Sequence, residues 1–277
     1  MKKMIAISLT LILVLLCSCS GGASDVIHPI TREEGSGTRG AFVELLGIVD
    51  ADDNDMIIDS AETTNSTSVM LSTVAGNKAA IGYVSLGALS DDVKAISVDG
   101  VEPTVENINN GTYKIWRPFN VVYTEGSLSE LANDFMNFIL SDEGQTVIEE
   151  DGYIRVASGG SYTASGLSGK ITLAGSTSVA PVMDKLADAY KALNPDVTIE
   201  IQQSGSSAGI SSAIEGVCDF GMSSRELKES EAAQLTSVTI ANDGIAIIVN
   251  KDNTVNGLTS QQICDIFTGE MTSWDEA

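Results

Sequence analysis

Apolar residues recur every three to four positions in two long segments of the chain, and this spacing predicts amphipathic helices. One helix is predicted over residues 178–193, and it ends before Pro195, which cannot continue a helix. The other is predicted as a single helix over residues 127–150. The repeating positions are Val179, Met183, Leu186, Tyr190 and Leu193 in the first, and Leu128, Leu131, Phe135 and Phe138 in the second.

Shorter patterns predict the remaining elements. Thr259 is expected to begin a third helix, because Gln262 three residues later completes a capping box. Short runs rich in β-branched residues predict strands. These runs cover residues 27–31, 81–84, 119–123, 171–173, 197–201, 238–240 and 245–249. Short strands that alternate with helices favour an α/β fold with largely parallel sheets.

The start of the chain has the pattern of a secretory leader. Two lysines precede an apolar run over residues 4–16, which is shorter than the roughly 20 residues of a membrane-spanning helix. Leu16 and Ser18 stand three places and one place before Cys19, which resembles a lipobox. We therefore predict a lipoprotein signal peptide over residues 1–18, lipidation of Cys19, and a mature protein anchored to the extracytoplasmic face of a bacterial cell membrane. Simple secretion is the alternative.

The composition and charge of the chain limit the kinds of ligand and macromolecule that it is expected to bind. Roughly 250 mature residues allow one large domain or two lobes. The formal net charge of −23 argues against nucleic acid, because no basic stripe could release counterions. Exposed charges are screened beyond about 8–10 Å, so local donors decide whether an anion binds. Cys218 and Cys264, the cysteines outside the leader, lack metal-ligand spacing, and we predict free thiols, no metal and no cofactor.

Three clusters of Ser, Thr and Gly stand immediately before predicted helices. They are residues 35–38 (GSGT), 175–178 (GSTS) and 205–209 (GSSAG), and Ser223–Ser224 is a candidate for a fourth. Glycine lets the backbone approach a ligand, hydroxyls add donors, and a helix start carries unpaired N–H groups with a partial positive charge. Such an end can bind phosphate, sulfate or carboxylate. Plain helix capping is the alternative.

Arg32 precedes the first of these clusters on the predicted strand over residues 27–31. A guanidinium can direct two parallel hydrogen bonds onto one tetrahedral oxyanion. The alternative for Arg32 is a surface salt bridge to Glu33 or Glu34.

One cluster also fits a catalytic pattern. Residues 205–209 satisfy G-x-S-x-G, the nucleophile elbow of α/β-hydrolases. A serine hydrolase needs a histidine base, and His28, the single histidine, lies in a different part of the chain. Residues 166–170 are too short for a Walker motif. The pattern therefore favours a binding protein over an enzyme.

Two stretches resemble the anion-binding loops of the phosphate-binding proteins that serve bacterial phosphate ABC transporters. They are residues 31–39 (TREEGSGTR) and 175–181 (GSTSVAP), with further similar stretches at 80–87, 99–104 and 219–226. The resemblance covers about residues 19–156 and 169–277. In that family the stretch similar to residues 175–181 comes first, so this chain resembles a circular permutant. The Gly/Ser-rich linker over residues 157–169 would join what are the family's two chain ends.

The resemblance implies a two-lobed α/β fold of the periplasmic-binding-protein-like type II class, circularly permuted, with a ligand cleft between the lobes. Residues 25–116 plus 246–277 would form an arginine-bearing lobe and residues 117–245 a second lobe, with crossings near residues 117–122 and 244–249. A monomer would capture inorganic phosphate and deliver it to the membrane subunits of an ABC transporter. A related oxyanion sensor or surface protein not coupled to transport, and the product of a rearranged tandem gene, remain alternatives.

The resemblance also implies the ligand-binding residues. These are Arg32, Ser36, Gly37 and Thr38 from one lobe, and Thr177, Ser178, Ser206 and Ser224 from the other. Some family members have an aspartate at the position of Ser224, and it accepts the ligand's proton. Glu34 lies where many relatives have an acidic residue, so it is expected to be the replacement acceptor and to favour phosphate over sulfate.

Overall fold

A computed structural model describes residues 26–156 and 159–277. The predicted signal peptide and Cys19 lie outside the described residues. The strands in this part of the chain are β1 (His28–Arg32), β2 (Glu62–Thr64), β3 (Ala80–Ser85), β4 (Val93–Val98), β5 (Trp116–Tyr123), β6 (Gly169–Gly175), β7 (Val197–Gln203), β8 (Phe220–Ser223), β9 (Thr236–Asn250) and β10 (Gly257–Leu258). The helices are α1 (Gly37–Leu45), α2 (Thr67–Gly76), α3 (Val105–Asn109), α4 (Glu130–Ile139), α5 (Asp142–Glu150), α6 (Ala180–Leu193), α7 (Ser206–Ile214), α8 (Glu229–Ala232) and α9 (Ser260–Thr268).

The strands form one continuous mixed sheet in the order β2-β1-β3-β9-β5-β8-β6-β7. In addition, β4 pairs with β9, and β10 pairs with β4. Two parallel groups lie in it: β1 pairs with β2 and β3, and β6 pairs with β7 and β8. The 15-residue strand β9 runs antiparallel to β3, β4 and β5 and joins the two groups. The prediction of an α/β fold is confirmed, while among the described strands parallel pairing is limited to the two groups and β4–β10.

Two predicted boundaries are wrong. The helix predicted over residues 127–150 is two helices, α4 and α5, because Ser141 ends one and caps the next: its Oγ accepts a hydrogen bond from Gly144 N–H at 3.2 Å. The runs at 238–240 and 245–249 belong to one strand, β9. The capping box at Thr259 is confirmed, since Thr259 Oγ1 accepts from Gln262 N–H at 3.1 Å and Gln262 Oε1 accepts from Thr259 N–H at 2.9 Å.

Buried apolar side chains form two principal clusters, one beside each parallel group. The Arg32-side cluster includes Phe42, Tyr83, Ile115, Ile154, Ile245, Ile247 and Phe267. The α6-side cluster includes Phe119, Phe135, Tyr153, Met183, Tyr190, Phe220 and Ala241. The chain therefore passes between the clusters on β5 after Ile115 and returns on β9 before Ile245. Ile154, which pairs with Asn242 of β9 beside this crossing, also belongs to the Arg32-side cluster.

The passage on β5 and β9 contains a buried ion pair. Arg117 and Asp243 are directly opposite each other in the antiparallel register, and Arg117 Nη2 donates to Asp243 Oδ2 at 3.2 Å. Their side chains are 2% and 1% exposed. Ser85, the last residue of β3, donates to Asp243 Oδ1 at 2.8 Å. Trp116, which pairs with Gly244 at the same level, is 41% exposed.

The two described chain ends lie side by side. Val26 forms an antiparallel bridge with Ser273, and Ile27 N–H donates to the Thr272 carbonyl oxygen at 2.8 Å. The described part of the linker instead packs against the α6-side cluster through Tyr162 and Leu167, and Tyr162 Oη donates to Asp134 Oδ2 at 2.6 Å. The two ends and the linker thus pack beside different clusters.

Candidate functional site

The carboxyl ends of the two parallel strand groups face each other, and the Ser/Thr/Gly clusters follow directly from them. Arg32 ends β1, and the turn after it leads into α1. Gly175 ends β6, Gln203 ends β7 and Ser223 ends β8. Because parallel strands end at one edge of a sheet, each group brings several loops to the same place. Two sets of polar loops therefore meet across the passage between the clusters.

Arg32 and Thr38 contact the loop before α6. Arg32 Nη2 donates to Thr177 Oγ1 at 3.2 Å. The hydroxyls of Thr38 and Ser178 lie 2.9 Å apart. All four side chains are buried. These residues are about 140 positions apart in sequence, so the contacts join the two sides of the molecule.

A second group of contacts surrounds Ser224. Ser176 Oγ donates to Ser224 Oγ at 2.9 Å, and Ser206 Oγ lies 3.3 Å from the same oxygen. A β-carbon placed on Gly37 would overlap Ser206 Oγ and lie 2.7 Å from Ser224 Oγ. A residue with a side chain at position 37 would therefore require these serine side chains to move.

Eight of the nine predicted ligand residues are thus buried in one region, which we call the hydroxyl cluster. They are Arg32, Ser36, Gly37, Thr38, Thr177, Ser178, Ser206 and Ser224. Ser36 contributes as the N-cap of α1, where Oγ accepts from Arg39 N–H at 3.4 Å.

Helix starts point into this cluster. α1 begins at Gly37, α2 at Thr67 and α7 at Ser206. In the turn before α6, Ser176 Oγ accepts from the N–H groups of Ser178 and Val179 at 3.2 and 3.3 Å. Each start carries a partial positive charge and N–H groups with no partner inside its helix. Together with the Arg32 guanidinium they favour an anion at this place.

Thr67 belongs to the cluster but was not predicted from the sequence. Its Oγ1 lies 3.3 Å from Thr177 Oγ1 and 3.2 Å from Ser178 Oγ, and the side chain is buried. Ser66 caps α2 by accepting from Val69 N–H at 3.2 Å. Consecutive Ser and Thr residues before an apolar run were the available signal, but this stretch lacks the glycines that marked the other three clusters.

The structure does not bring Glu34 into the hydroxyl cluster. The chain reverses at Glu34 and Gly35, whose φ is +86°, and Glu34 is exposed there. Glu34 lines a separate cavity together with Glu33, Arg39 and Asp59. The neighbouring Glu33 instead pairs with Arg32, accepting from Nε at 2.8 Å and from Nη2 at 2.9 Å.

The fourth candidate cluster also differs from the prediction. Ser223 ends β8, and the next helix, α8, begins only at Glu229. Ser224 therefore reaches the hydroxyl cluster from the end of a strand and not from a helix start.

The hydroxyl of Tyr83 holds the carboxyl end of β1 in place. Its hydroxyl accepts from Arg32 N–H at 3.2 Å and lies 2.8 Å from Thr31 Oγ1. Burial raises the pKa of Tyr83 to about 12, although these two hydrogen bonds oppose the shift. Tyr83 thus remains a neutral hydroxyl, and it holds the backbone from which the Arg32 side chain extends.

The arrangement required by a serine hydrolase is not formed. His28 Nε2 bonds to Glu62 Oε2 at 3.0 Å on an exposed surface, whereas Ser206 is buried against Ser224. A hydrolase would need the histidine within hydrogen-bond reach of the serine. Within residues 26–156 and 159–277, no group of three or more His, Cys, Asp or Glu side chains is arranged to hold a metal ion.

Comparison with known proteins places these features in context. A family model of the PBP superfamily domain matches residues 18–143 and 160–277. The phosphate-binding protein PstS 2 of Streptococcus agalactiae serotype V is 48% identical over 285 residues, covering 100% of this chain and 97% of that protein. A phosphate-binding protein of a phosphate ABC transporter from Streptococcus pneumoniae TIGR4 has a crystal structure with a TM-score of 0.72 and 45% identity, covering 91% of this chain and 99% of that one. The phosphate-binding protein PstS of Bacillus subtilis is 33% identical over 143 residues, 49% of this chain and 44% of that protein.

Proposed function

The chain belongs to the PBP superfamily, among the phosphate-binding proteins of phosphate ABC transporters, and from that premise we propose that it captures inorganic phosphate in the hydroxyl cluster and delivers it to the transporter's membrane subunits. The relatives are substrate-binding proteins of transporters, and binding of this kind needs no bond-making residue. Such binding proteins act outside the cytoplasm.

The observation that carries the proposal is the convergence of Arg32 with buried hydroxyls from distant parts of the chain. Micromolar affinity corresponds to about −8 kcal/mol. Hydrogen bonds to a charged group contribute roughly 1.5–3 kcal/mol each. About eight donors therefore exceed the requirement, and the surplus offsets desolvation and the ordering of the two sides.

We further propose that the two buried clusters mark two lobes, residues 25–116 plus 246–277 and residues 117–245, which close over the ligand by a hinge motion. The chain passes between the clusters at β5 and at β9, which supports a hinge there. The Arg32–Thr177 and Thr38–Ser178 contacts would form when the lobes close. A bound tetrahedral anion would bridge the same groups and favour the closed state.

The order of the chain is also informative. The alignment with the Streptococcus agalactiae relative spans the whole chain, so both halves occur in the same order in that protein. This supports a normal gene product over a rearranged tandem gene. The match to the Bacillus subtilis relative covers about half of each chain, which fits a different order of the two halves there. We propose on these grounds that the chain is a circular permutant.

Lipid anchoring through Cys19 and a monomeric state are part of the same proposal. Among the described residues, no helix is both long and apolar enough to cross a membrane. Val26, the first described residue, lies beside Ser273 on the Arg32 side of the molecule. A lipid on Cys19 would therefore hold the arginine-bearing lobe close to the membrane surface.

Titration calorimetry of the purified mature chain with phosphate tests the proposed function. We expect saturable binding of one phosphate per chain with a dissociation constant in the micromolar range or below. Folded protein that gives no heat with phosphate, and whose melting temperature phosphate does not raise, would refute phosphate capture.

A further inference from the structure

The Arg32 side and the α6 side of the molecule also touch outside the hydroxyl cluster. We propose that Arg225 and Ser207, on the α6 side, form a latch with Gly35 and Gly40, on the Arg32 side, and that this latch holds the two sides together and slows the release of phosphate. This inference rests on the proposed phosphate binding and hinge motion, and it names residues that stabilise the closed state without touching the anion.

The Arg225 guanidinium is fixed within the α6 side by Glu231. Arg225 Nη1 donates to Glu231 Oε2 at 2.7 Å, and Nη2 donates to Glu231 Oε1 at 2.9 Å, which makes the pair bidentate. Arg225 Nη1 also donates to the Glu226 carbonyl oxygen at 2.8 Å. The Arg225 side chain is 12% exposed. With these partners the guanidinium has little freedom to turn, so the direction of its remaining contact is set.

That remaining contact is made with the residue that bonds to the Arg32 side. Arg225 Nη2 donates to Ser207 Oγ at 3.2 Å. Ser207 N–H donates to the Gly35 carbonyl oxygen at 3.1 Å, so a backbone hydrogen bond joins α7 to the turn before α1. A β-carbon on Gly35 would lie 3.2 Å from Ser207 Cβ, which leaves no room for a side chain there. Arg225 is therefore a positioning residue for the closest approach of α7 to this turn.

The aliphatic part of Arg225 meets the Arg32 side directly. A β-carbon on Gly40, in α1, would lie 3.6 Å from Arg225 Cδ, an ordinary van der Waals distance. A side chain much larger than a methyl group at position 40 would therefore collide with Arg225 when the two sides are together. Gly40 is exposed, so the same side chain would extend into solvent when the two sides are apart.

The latch residues lie outside the set assigned to phosphate, and this determines which rate they control. Contacts that exist only between closed sides stabilise the closed complex and not the first encounter with the anion. Loss of the latch should therefore accelerate phosphate dissociation and leave the association rate nearly unchanged. A purely structural role of Arg225 would lower stability without separating the two rates.

A glycine substitution on the Arg32 side tests the latch without altering any hydrogen bond of Arg225. For Gly40→Leu we expect phosphate dissociation to become at least about tenfold faster and the dissociation constant to rise by the same factor, because the added side chain crowds the closed state alone. Leucine has a higher helix propensity than glycine, so the melting temperature without ligand should not fall.

Gly76→Leu is the matched control for this variant. Gly76 is an exposed residue at the end of α2, and a β-carbon there would meet no atom within 4 Å. This variant should leave both rates unchanged. On the mature chain, calorimetry measures the dissociation constant, and the chase of radiolabelled phosphate by unlabelled phosphate with rapid filtration measures the dissociation rate. The two values together give the association rate.

Arg225→Met tests the latch from the α6 side. Methionine keeps an unbranched side chain near Gly40 but removes the hydrogen bonds to Ser207 and Glu231. Dissociation should accelerate roughly 2- to 10-fold, the range expected for the loss of one ordinary hydrogen bond. The association rate should again stay nearly unchanged.

The outcomes separate the latch from the proposed function. An unchanged dissociation rate in Gly40→Leu overturns the latch, and so does a slower association with an unchanged dissociation rate. Should Gly40→Leu not fold, as judged by its melting temperature without ligand, an unchanged dissociation rate in Arg225→Met is equally decisive against the latch. If the unmodified chain binds no phosphate, the proposed function itself fails and the latch fails with it.

Discussion

The described part of the chain contains two arginine–carboxylate pairs with buried guanidinium groups, and they differ in how the rest of the fold holds them. Arg117 and Asp243 face each other in the ladder between β5 and β9, and both are almost completely buried. Arg32 and Glu33 are sequence neighbours at the end of β1, where Arg32 is 3% and Glu33 28% exposed. The same chemistry thus occurs once inside a sheet and once beside the hydroxyl cluster, and the comparison separates support of the fold from the proposed ligand recognition.

In the Arg117–Asp243 pair, which we call the sheet pair, each buried charge is stabilised by the other. Burial lowers the pKa of Arg117, and the nearby Asp243 carboxylate opposes that shift. Burial likewise raises the pKa of Asp243, and Arg117 opposes it. Arg117 Nε and Nη1 are buried without a hydrogen-bond partner among the described atoms. Loss of one partner would leave an uncompensated charge in the interior.

The largest expected effect comes from breaking the sheet pair on one side. Asp243→Ala should lower the free energy of unfolding by about 3–5 kcal/mol, because Arg117 remains buried and unpaired. Urea unfolding at pH 7 measures the change. The double variant Arg117→Met with Asp243→Leu removes both charges and should be clearly more stable than the single variant. If the single and double variants have the same free energy of unfolding, the unpaired Arg117 charge is not the cause of the destabilisation.

Breaking the Arg32–Glu33 pair, which we call the cleft pair, should affect phosphate binding strongly and stability little. Arg32→Met should weaken phosphate binding by roughly 100-fold or more, because two charge-assisted hydrogen bonds to the ligand are lost. The free energy of unfolding should change by less than about 1 kcal/mol, as expected for a pair with a partly exposed partner. Calorimetry and urea unfolding give the two values. Arg155→Gln, which removes an exposed guanidinium paired with Asp142 and Glu149, is the control and should leave affinity unchanged.

A smaller effect is expected at Thr67, a cluster member without charge. Thr67→Val removes the hydroxyl near Thr177 and Ser178 but keeps the shape, and phosphate affinity should fall about 5- to 10-fold, in line with the 0.5–1.5 kcal/mol of an ordinary hydrogen bond. Thr67→Ser should retain most of the affinity. Ser68→Ala, at the exposed position beside it, serves as the control in the same calorimetric titration. Equal affinity in Thr67→Val and Ser68→Ala would remove Thr67 from the binding residues.

The smallest effect concerns a third pair, Arg225 with Glu231. The hydrogen bond from Arg225 lowers the pKa of Glu231. A carboxyl group with a lowered pKa in the folded state stabilises the protein above its unfolded pKa, and this stabilisation is lost as pH falls through the folded pKa. Glu231→Gln should therefore reduce the loss of stability between pH 7 and acidic pH by less than about 1 kcal/mol. Urea unfolding of both proteins across this range is the check, and parallel curves would contradict it.

Local sequence patterns predicted the elements that depend on neighbouring residues. The helix over Ala180–Leu193 and the capping box at Thr259 follow from side chains within a few positions of each other. The break at Ser141 was missed because apolar spacing continues across it, whereas the cap depends on a single hydroxyl. Local patterns of this kind carry little information about how strands pair.

The same limit applies to the site. The Ser/Thr/Gly clusters were visible because glycine and hydroxyl residues stand together before each helix. The pairing of Arg32 with Glu33, and the exposure of Glu34 outside the hydroxyl cluster, were not visible, because they depend on the direction of the turn at Gly35. Thr67 was missed for a related reason, since its contacts lie more than 100 positions away.

The placement of Trp116 allows the proposed hinge to be tested directly. Trp116 pairs with Gly244 where β5 and β9 pass between the two buried clusters, and it is 41% exposed. The other tryptophan, Trp274, is bonded through Nε1 to the Ala79 carbonyl oxygen, away from this passage. Any rearrangement at the crossing would alter the solvent around one indole and leave the other unchanged. With Trp274→Phe, intrinsic fluorescence becomes a single-site optical signal that could follow ligand capture in a stopped-flow instrument without an attached dye.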